Sequence, residues 1–237
     1  MPKMDHKTSD EELSLETIAY KEIKQAITSG IFPRSYQIVE EHISGQLNMS
    51  RSPVRSAIKR LQAEGYLERR DNKRIYVASP DTSEIIDILY VREALDGMTA
   101  RLAAVHRTDR DVEIINDILA QTKVLMKSNN LAQLHELTIQ IHHAIYGASK
   151  SRHLSALAKT AESQVSLFTY HSLKLDDTRS EAAYAEHALI AQYVIEQKPD
   201  EAEKAARYHI AQLRDRVILV ESMRNQTASL TQSSLRA

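Results

Sequence analysis

The chain has 237 residues, 42% of them hydrophobic and 27% charged, with a formal net charge of −1. These values fit an ordinary soluble globular protein of two domains and exclude a chain that is basic throughout. The absence of cysteine excludes disulfides, thiolate zinc sites and cysteine nucleophiles.

The polar start, Met1 to Glu12, lacks the apolar stretch of a signal peptide and is expected to be disordered. No window approaches the ~18 consecutive apolar residues of a membrane span, so the expected location is the cytoplasm. Leu15, Ile18, Ala19, Ile23, Ala26 and Ile27 then keep helical spacing up to Gly30. Ile31-Phe32-Pro33 reads as an extended connector. Val39, Ile43 and Leu47 mark a short second helix, and Asn48 suits the tight turn after it.

The third helix is the most informative. Val54, Ala57, Ile58 and Leu61 recur at i, i+3, i+4 and i+7 and put one apolar stripe on one face. Ser52, Arg55, Ser56 and Lys59 fall opposite, with Arg51 at the edge. Ser50 is placed to cap the helix, with Pro53 in the first turn, where a missing N–H is tolerated. Such a helix suits a DNA major groove, where cations meet phosphate or guanine and hydroxyls meet either.

Residues 66–69 and 74–78 read as two short strands joined by a charged turn. Eight cations and three anions make the stretch 51–80 locally net +5, the footprint of a DNA-reading module on a neutral chain. Three helices followed by a basic hairpin give a winged helix-turn-helix over residues 13–78, with Arg70, Lys73 and Arg74 in the wing.

Pro80 ends the second strand, and Asp81 with Glu84 forms a capping box for a new helix. Residues 79–222 show only helical periods, about six helices, which predicts an all-α bundle. The expected fold class is mainly α, with the winged helix-turn-helix first and the bundle second. The Ser/Thr/Gln-rich stretch 223–237 is expected to be a flexible tail.

Ile85, Ile88, Leu95 and Leu102 line one stripe of the bundle's first helix, and Arg92 and Thr99 interrupt it. An inward arginine needs an anion, either a protein carboxylate or the carboxylate of a ligand. His187 sits on the stripe of Ala183, Ile190 and Val194, and His209 on that of Ala202, Ala206 and Leu213. His142 borders the stripe of Leu134, Thr138, Ile141 and Ile145. Two readings stand: three hydrogen-bonded core histidines, or three imidazoles converging on a divalent metal such as zinc, nickel or iron.

Taken together, these segments resemble the GntR family of bacterial transcription regulators, in the branch with an all-helical FCD ligand domain. The resemblance runs through Ser50-Arg51, Pro53-Val54-Arg55, Ala57-Ile58, Leu61 and Glu64-Gly65. It continues with Val91-Arg92-Glu93-Ala94-Leu95-Asp96, Ile141-His142, Glu186-His187 and His209. It implies a homodimer on a near-palindromic DNA operator. Arg51 and Arg55 match the arginines that reach bases or phosphates. Residues 79–222 match the FCD ligand-binding and dimerisation domain, and His142, His187 and His209 match the metal-holding histidines of the branch. Arg92 matches the arginine that meets an effector carboxylate, and the effectors of the branch are small organic or sugar acids.

Three positions depart from the family pattern. Thr138 stands where an Asp or Asn ligand is usual, Arg74 where the wing has glycine, and Arg34 where glycine follows Pro33. The resulting expectation is a ligand-responsive repressor and not an enzyme. Its DNA-contacting set is Arg34, Ser50, Arg51, Ser52, Arg55, Lys59, Arg70, Lys73 and Arg74. The alternatives are a metal-dependent enzyme built on the bundle, or a metal-free bundle that serves only for dimerisation.

Overall fold

A computed structural model describes residues 14–70, 73–127, 130–173 and 177–234, with backbone alone for 131–132, 167–173, 177–180 and 223–234. The expected disordered start, 1–12, lies outside the described residues. The chain divides after Val77 into two compact units.

In the first unit α1 (Leu15–Thr28) is capped by the Ser14 hydroxyl, which accepts from the Thr17 N–H, and it buries Ala19, Tyr20, Ile23 and Ile27. Gly30 then turns the chain at φ 83°. After β1 (Gln37–Ile38) comes α2 (Glu40–Leu47), which ends at Asn48 in the left-handed region, a conformation that asparagine tolerates. The next helix, α3 (Arg51–Ala63), buries Val54, Ala57, Ile58 and Leu61, the stripe read from the sequence. Tyr20 clamps α1 to α3: its hydroxyl donates to Glu64 at 2.6 Å, and Arg60 lies over its ring. Burial and that bond push the Tyr20 phenol up to about 12.

Two strands, β2 (Leu67–Arg69) and β3 (Ile75–Val77), form the antiparallel wing, with Leu67 opposite Val77 and Arg69 opposite Ile75. The sheet order is β1-β3-β2, and Ile38 pairs with Ile75.

Two local expectations, Val39 and Ser50, need correction, and one short strand carries no sequence signal. The segment Gln37–Ile38 is a strand, which two residues of sequence carry no period to announce. Val39 sits before α2 in extended conformation, half-exposed, and is not part of the helix. Ser50 occupies the N-cap of α3 but its side chain makes no capping bond. A cap hydroxyl accepts from the second or third helical N–H, and the third helical residue is Pro53, which has none.

In the second unit six helices are described: α4 (Thr82–His106), α5 (Asp109–Leu125), α6 (Leu131–Ala148), α7 (Arg152–Leu173), α8 (Asp177–Ile195) and α9 (Pro199–Ser234). The Asp81–Glu84 capping box starts α4, and a second box, Thr108–Asp111, starts α5. The central helix is α4, packed against α6, α7, α8 and α9. One apolar cluster joins Ala100, Ala103 and Ala104 to Ile115, Ile141, Ile190 and Val194. A second joins Ile85 and Leu89 to Val165, Ile210 and Val217.

The buried face of α4 is Ile85, Leu89, Arg92, Asp96, Thr99, Ala100 and Ala103. Ile88, Leu95 and Leu102 of the expected stripe are only half-buried. The helix carries apolar residues on both sides, so its period does not single out one face. Helix α9 runs to Ser234, past residue 222, where a flexible tail was expected. No glycine or proline follows Pro199 to stop it.

Leu61→Ala removes a fully buried side chain from the α3 stripe and should cost the first unit about 2–5 kcal/mol. Urea denaturation followed by circular dichroism and limited proteolysis checks this. The first unit should unfold at lower urea, with the transition of the second unit unmoved.

Candidate functional site

Three helices of the second unit each bring one histidine to a common point: His142 from α6, His187 from α8 and His209 from α9. All three are buried. The Nε2 of His187 lies 3.3 Å from that of His142 and 3.2 Å from that of His209. Three zinc–nitrogen bonds of about 2.0–2.1 Å at tetrahedral angles separate their nitrogens by roughly 3.3 Å. The two separations fit that spacing, and they are also hydrogen-bond lengths between imidazoles.

Protonation points the same way. The Nδ1 of His209 lies 2.6 Å from the Glu186 carboxylate. A carboxylate only accepts, so this Nδ1 carries a proton, and in the neutral ring that leaves the lone pair on Nε2. Such a carboxylate–histidine pair fixes the tautomer a metal requires. Burial, then the charges of His187 and Arg92, hold the His142 imidazole well below its ordinary 6.5. It is therefore neutral, as a ligand must be. Thr138 sits on α6 one turn before His142, half-buried, and its hydroxyl donates to the Leu134 carbonyl at 3.0 Å.

Arg92 has found a protein carboxylate. Its Nη2 donates to Asp96 at 2.9 Å, and both side chains are 4% exposed. Burial alone would lower the guanidinium; Asp96 more than offsets it and holds Arg92 charged. Asp96 also accepts from the Tyr146 hydroxyl at 2.8 Å and stands 3.7 Å from Nδ1 of His142, beyond hydrogen-bond length. The salt bridge uses only part of the arginine. Arg92 Nε is buried with no hydrogen-bond partner among the described residues. Such a donor is costly to leave unmatched. Asp96, Thr99, His142, Tyr146 and His209 border a cavity closed by Ala100, Ile145, Ile190 and Ala206.

In the first unit, Ser50, Arg51, Ser52, Arg55 and Lys59 are all exposed along α3, and Arg34, Lys73 and Arg74 are exposed outside it. Arg51 donates to Glu41 at 2.5 Å and Arg55 to Glu40 at 3.0 Å. Arg70 is turned back from the wing tip onto Glu68, Ser35 and the Tyr76 ring. Residues 71–72 of the tip lie outside the described residues. Among those described, no helix is long and apolar enough to cross a membrane.

Sequence reasoning assigned no role to Glu186, Asp96, Tyr146, Glu40 or Glu41. Glu186, Tyr146, Glu40 and Glu41 act through a partner on another helix, which no local spacing marks, whereas Asp96 stands four residues after Arg92 on one helix. The available signals were the i,i+4 spacing of Arg92 and Asp96 and the adjacency of Glu186 to an inward histidine.

A pH dependence follows from His142. In the metal-free chain it is neutral when folded, whereas the unfolded chain takes up a proton below 6.5. Its contribution to stability is intact above pH 6.5 and is lost as pH falls below it. After chelator treatment, the Tm of the second unit should fall from about pH 7.5 to about pH 5.5, and less steeply in His142→Gln. Equal slopes would remove His142 as the cause.

Residues 15–77 match the model of bacterial regulatory proteins of the gntR family, and residues 87–212 match the FCD domain. The Nta operon transcriptional regulator of Aminobacter aminovorans is 22% identical, over 77% of this chain and 84% of that protein. The Glc operon transcriptional activator of Escherichia coli K12 is 26% identical, over 85% and 88%. Among solved structures, E. coli McbR/YncC superposes with a TM-score of 0.75 at 16% identity, covering 88% of this chain and 99% of that one, which shows the same fold. With a winged helix-turn-helix and a helical bundle each matched by its own family model, the chain belongs to the GntR family of bacterial transcription regulators with an FCD domain, a family of DNA-binding regulators and not of enzymes.

Proposed function

We propose that this regulator is a cytoplasmic repressor that binds a near-palindromic operator as a homodimer and responds to a small organic or sugar acid through a three-histidine metal site. The observation that carries the reading is the buried convergence of three Nε2 atoms, one carboxylate away from an arginine Nε with no partner among the described residues. A divalent metal held by His142, His187 and His209, zinc first with nickel or iron as alternatives, supplies positive charge and open coordination positions for an anion.

Thr138 in place of an acidic ligand leaves the donors of the protein neutral, which favours an anionic effector further. Arg92 keeps its bond to Asp96 and offers Nε to the effector carboxylate. Thr99 and Tyr146 border the cavity beside His142 and His209. The effector shifts the regulator only to the extent that it binds the two DNA-affinity states differently. Repression is the sign proposed here; the E. coli relative named above is an activator.

The homodimer has a surface to use. Val91, Ala94, Leu95, Met98, Leu102 and Val105 form a second apolar stripe on α4, exposed or half-buried, away from its core face. A helix apolar on both sides needs two partners. Two copies joined there present two copies of α3 to an operator, with Arg34, Ser50, Arg51, Ser52, Arg55 and Lys59 at the major groove. Arg70, Lys73 and Arg74 belong to the wing beside it.

Elemental analysis of protein purified without a histidine tag should find about one metal ion per chain, and none in His187→Ala/His209→Ala. Absence of metal in the wild type even after reconstitution would reduce the histidines to core residues. In a thermal-shift screen of carboxylic acids with and without zinc, a hit should raise Tm only in the zinc-loaded chain. A concentration of 100 Kd corresponds to about 2.7 kcal/mol of stabilisation, and Arg92→Gln should remove most of it. Val91→Glu/Met98→Glu should run as a monomer in size-exclusion chromatography with light scattering; an unchanged dimer would move the interface elsewhere.

A further inference from the structure

The two arginines on the exposed face of the recognition helix do not stand alone. Each is held by a different carboxylate at the start of α2, and through a different nitrogen. Arg55 donates through Nε to Glu40 Oε2 at 3.0 Å, and Arg51 donates through Nη2 to Glu41 Oε1 at 2.5 Å. Glu40 is 29% exposed and Glu41 76%.

The choice of nitrogen separates the two pairs. A guanidinium reads guanine with two parallel N–H donors, and its end-on fork is the Nη1/Nη2 pair. Arg55 spends Nε on Glu40 and keeps that fork, with Glu40 directing the guanidinium. Arg51 spends one of the two N–H groups of Nη2, so Glu41 occupies one of its two-donor edges and takes the place a phosphate oxygen would take there. Glu41 is also largely open to solvent on the helix that crosses the DNA backbone in this motif, where it repels phosphate.

We propose that Glu40 is a positioning residue that orients Arg55 for reading a base, and that Glu41 is a discriminating residue that competes with phosphate for Arg51 and weakens binding to DNA of the wrong sequence. Exposed ion pairs of this kind add little to folding stability, so their effect belongs to binding. The proposal rests on the assignment of α3 to the major groove.

The two roles predict opposite signs, which makes them separable from a general charge effect. Removing an acid near DNA strengthens binding to every sequence if only charge matters. If Glu40 positions Arg55, its removal weakens binding to the correct sequence despite the lost negative charge.

The test uses the full chain and two duplexes of equal length and composition, one enriched by the wild type from a random-sequence library and one scrambled. Fluorescence anisotropy at several salt concentrations compares wild type with Glu40→Ala, Glu40→Gln, Glu41→Gln and the charge control Glu22→Gln on α1. Glu40→Ala should lose roughly tenfold in affinity for the enriched duplex, with no loss on the scrambled one. Glu40→Gln, which keeps an acceptor for Nε, should recover most of that loss.

Glu41→Gln should bind the scrambled duplex several-fold more tightly and steepen its log–log salt slope by about one, with the enriched duplex changing less. Equal shifts on both duplexes, matching Glu22→Gln, would overturn the proposal, as would tighter binding of the enriched duplex by Glu40→Ala. A wild type that enriches no sequence would overturn the groove assignment itself, an outcome distinct from either.

Discussion

The Asp96 carboxylate, buried at the centre of the second unit, is the constraint on which the rest of that unit depends. It accepts from Arg92 one turn earlier on its own helix and from Tyr146 on α6. An arginine at 4% exposure stands only if an anion meets it, because removing one partner strands a buried charge at a cost of roughly 3–5 kcal/mol. The same carboxylate therefore keeps Arg92 charged inside the bundle and ties α6, the helix that carries His142, to α4. The histidine cluster inherits its geometry from that tie, and from the Glu186 bond that fixes the ring of His209.

Both units follow one pattern. In each, the cation or lone pair that would meet a ligand is steadied by a carboxylate: Asp96 for Arg92, Glu186 for His209, Glu40 for Arg55. The settings differ in dielectric. Inside the bundle such a pair is strongly coupled and sets charge state and tautomer. On the surface of α3 the coupling is weak and screened by salt, so the carboxylate directs a flexible arginine without fixing it.

Legibility in the sequence follows the range of the interaction. The α3 stripe was readable because Val54, Ala57, Ile58 and Leu61 repeat at the helical period against a polar opposite face. The face of α4 was not, because Val91, Met98 and Val105 make its other side apolar as well. The inward turn of His187 and His209 could be seen from their neighbours, but their meeting with His142 depends on how three helices pack. The partner of Arg92 was open between a protein carboxylate and a ligand. The bundle supplies the first through Asp96 and leaves Nε without a partner among the described residues, a division of one side chain that no spacing encodes.

The central claim is that three imidazoles meet on one metal ion in the FCD domain. Metal-edge X-ray absorption on the zinc-loaded full chain tests it most directly. Three imidazole nitrogens at about 2.0–2.1 Å, with the multiple-scattering pattern of histidine and the remaining positions filled by oxygen, is the predicted result. A first shell of oxygen with one imidazole or none would contradict it.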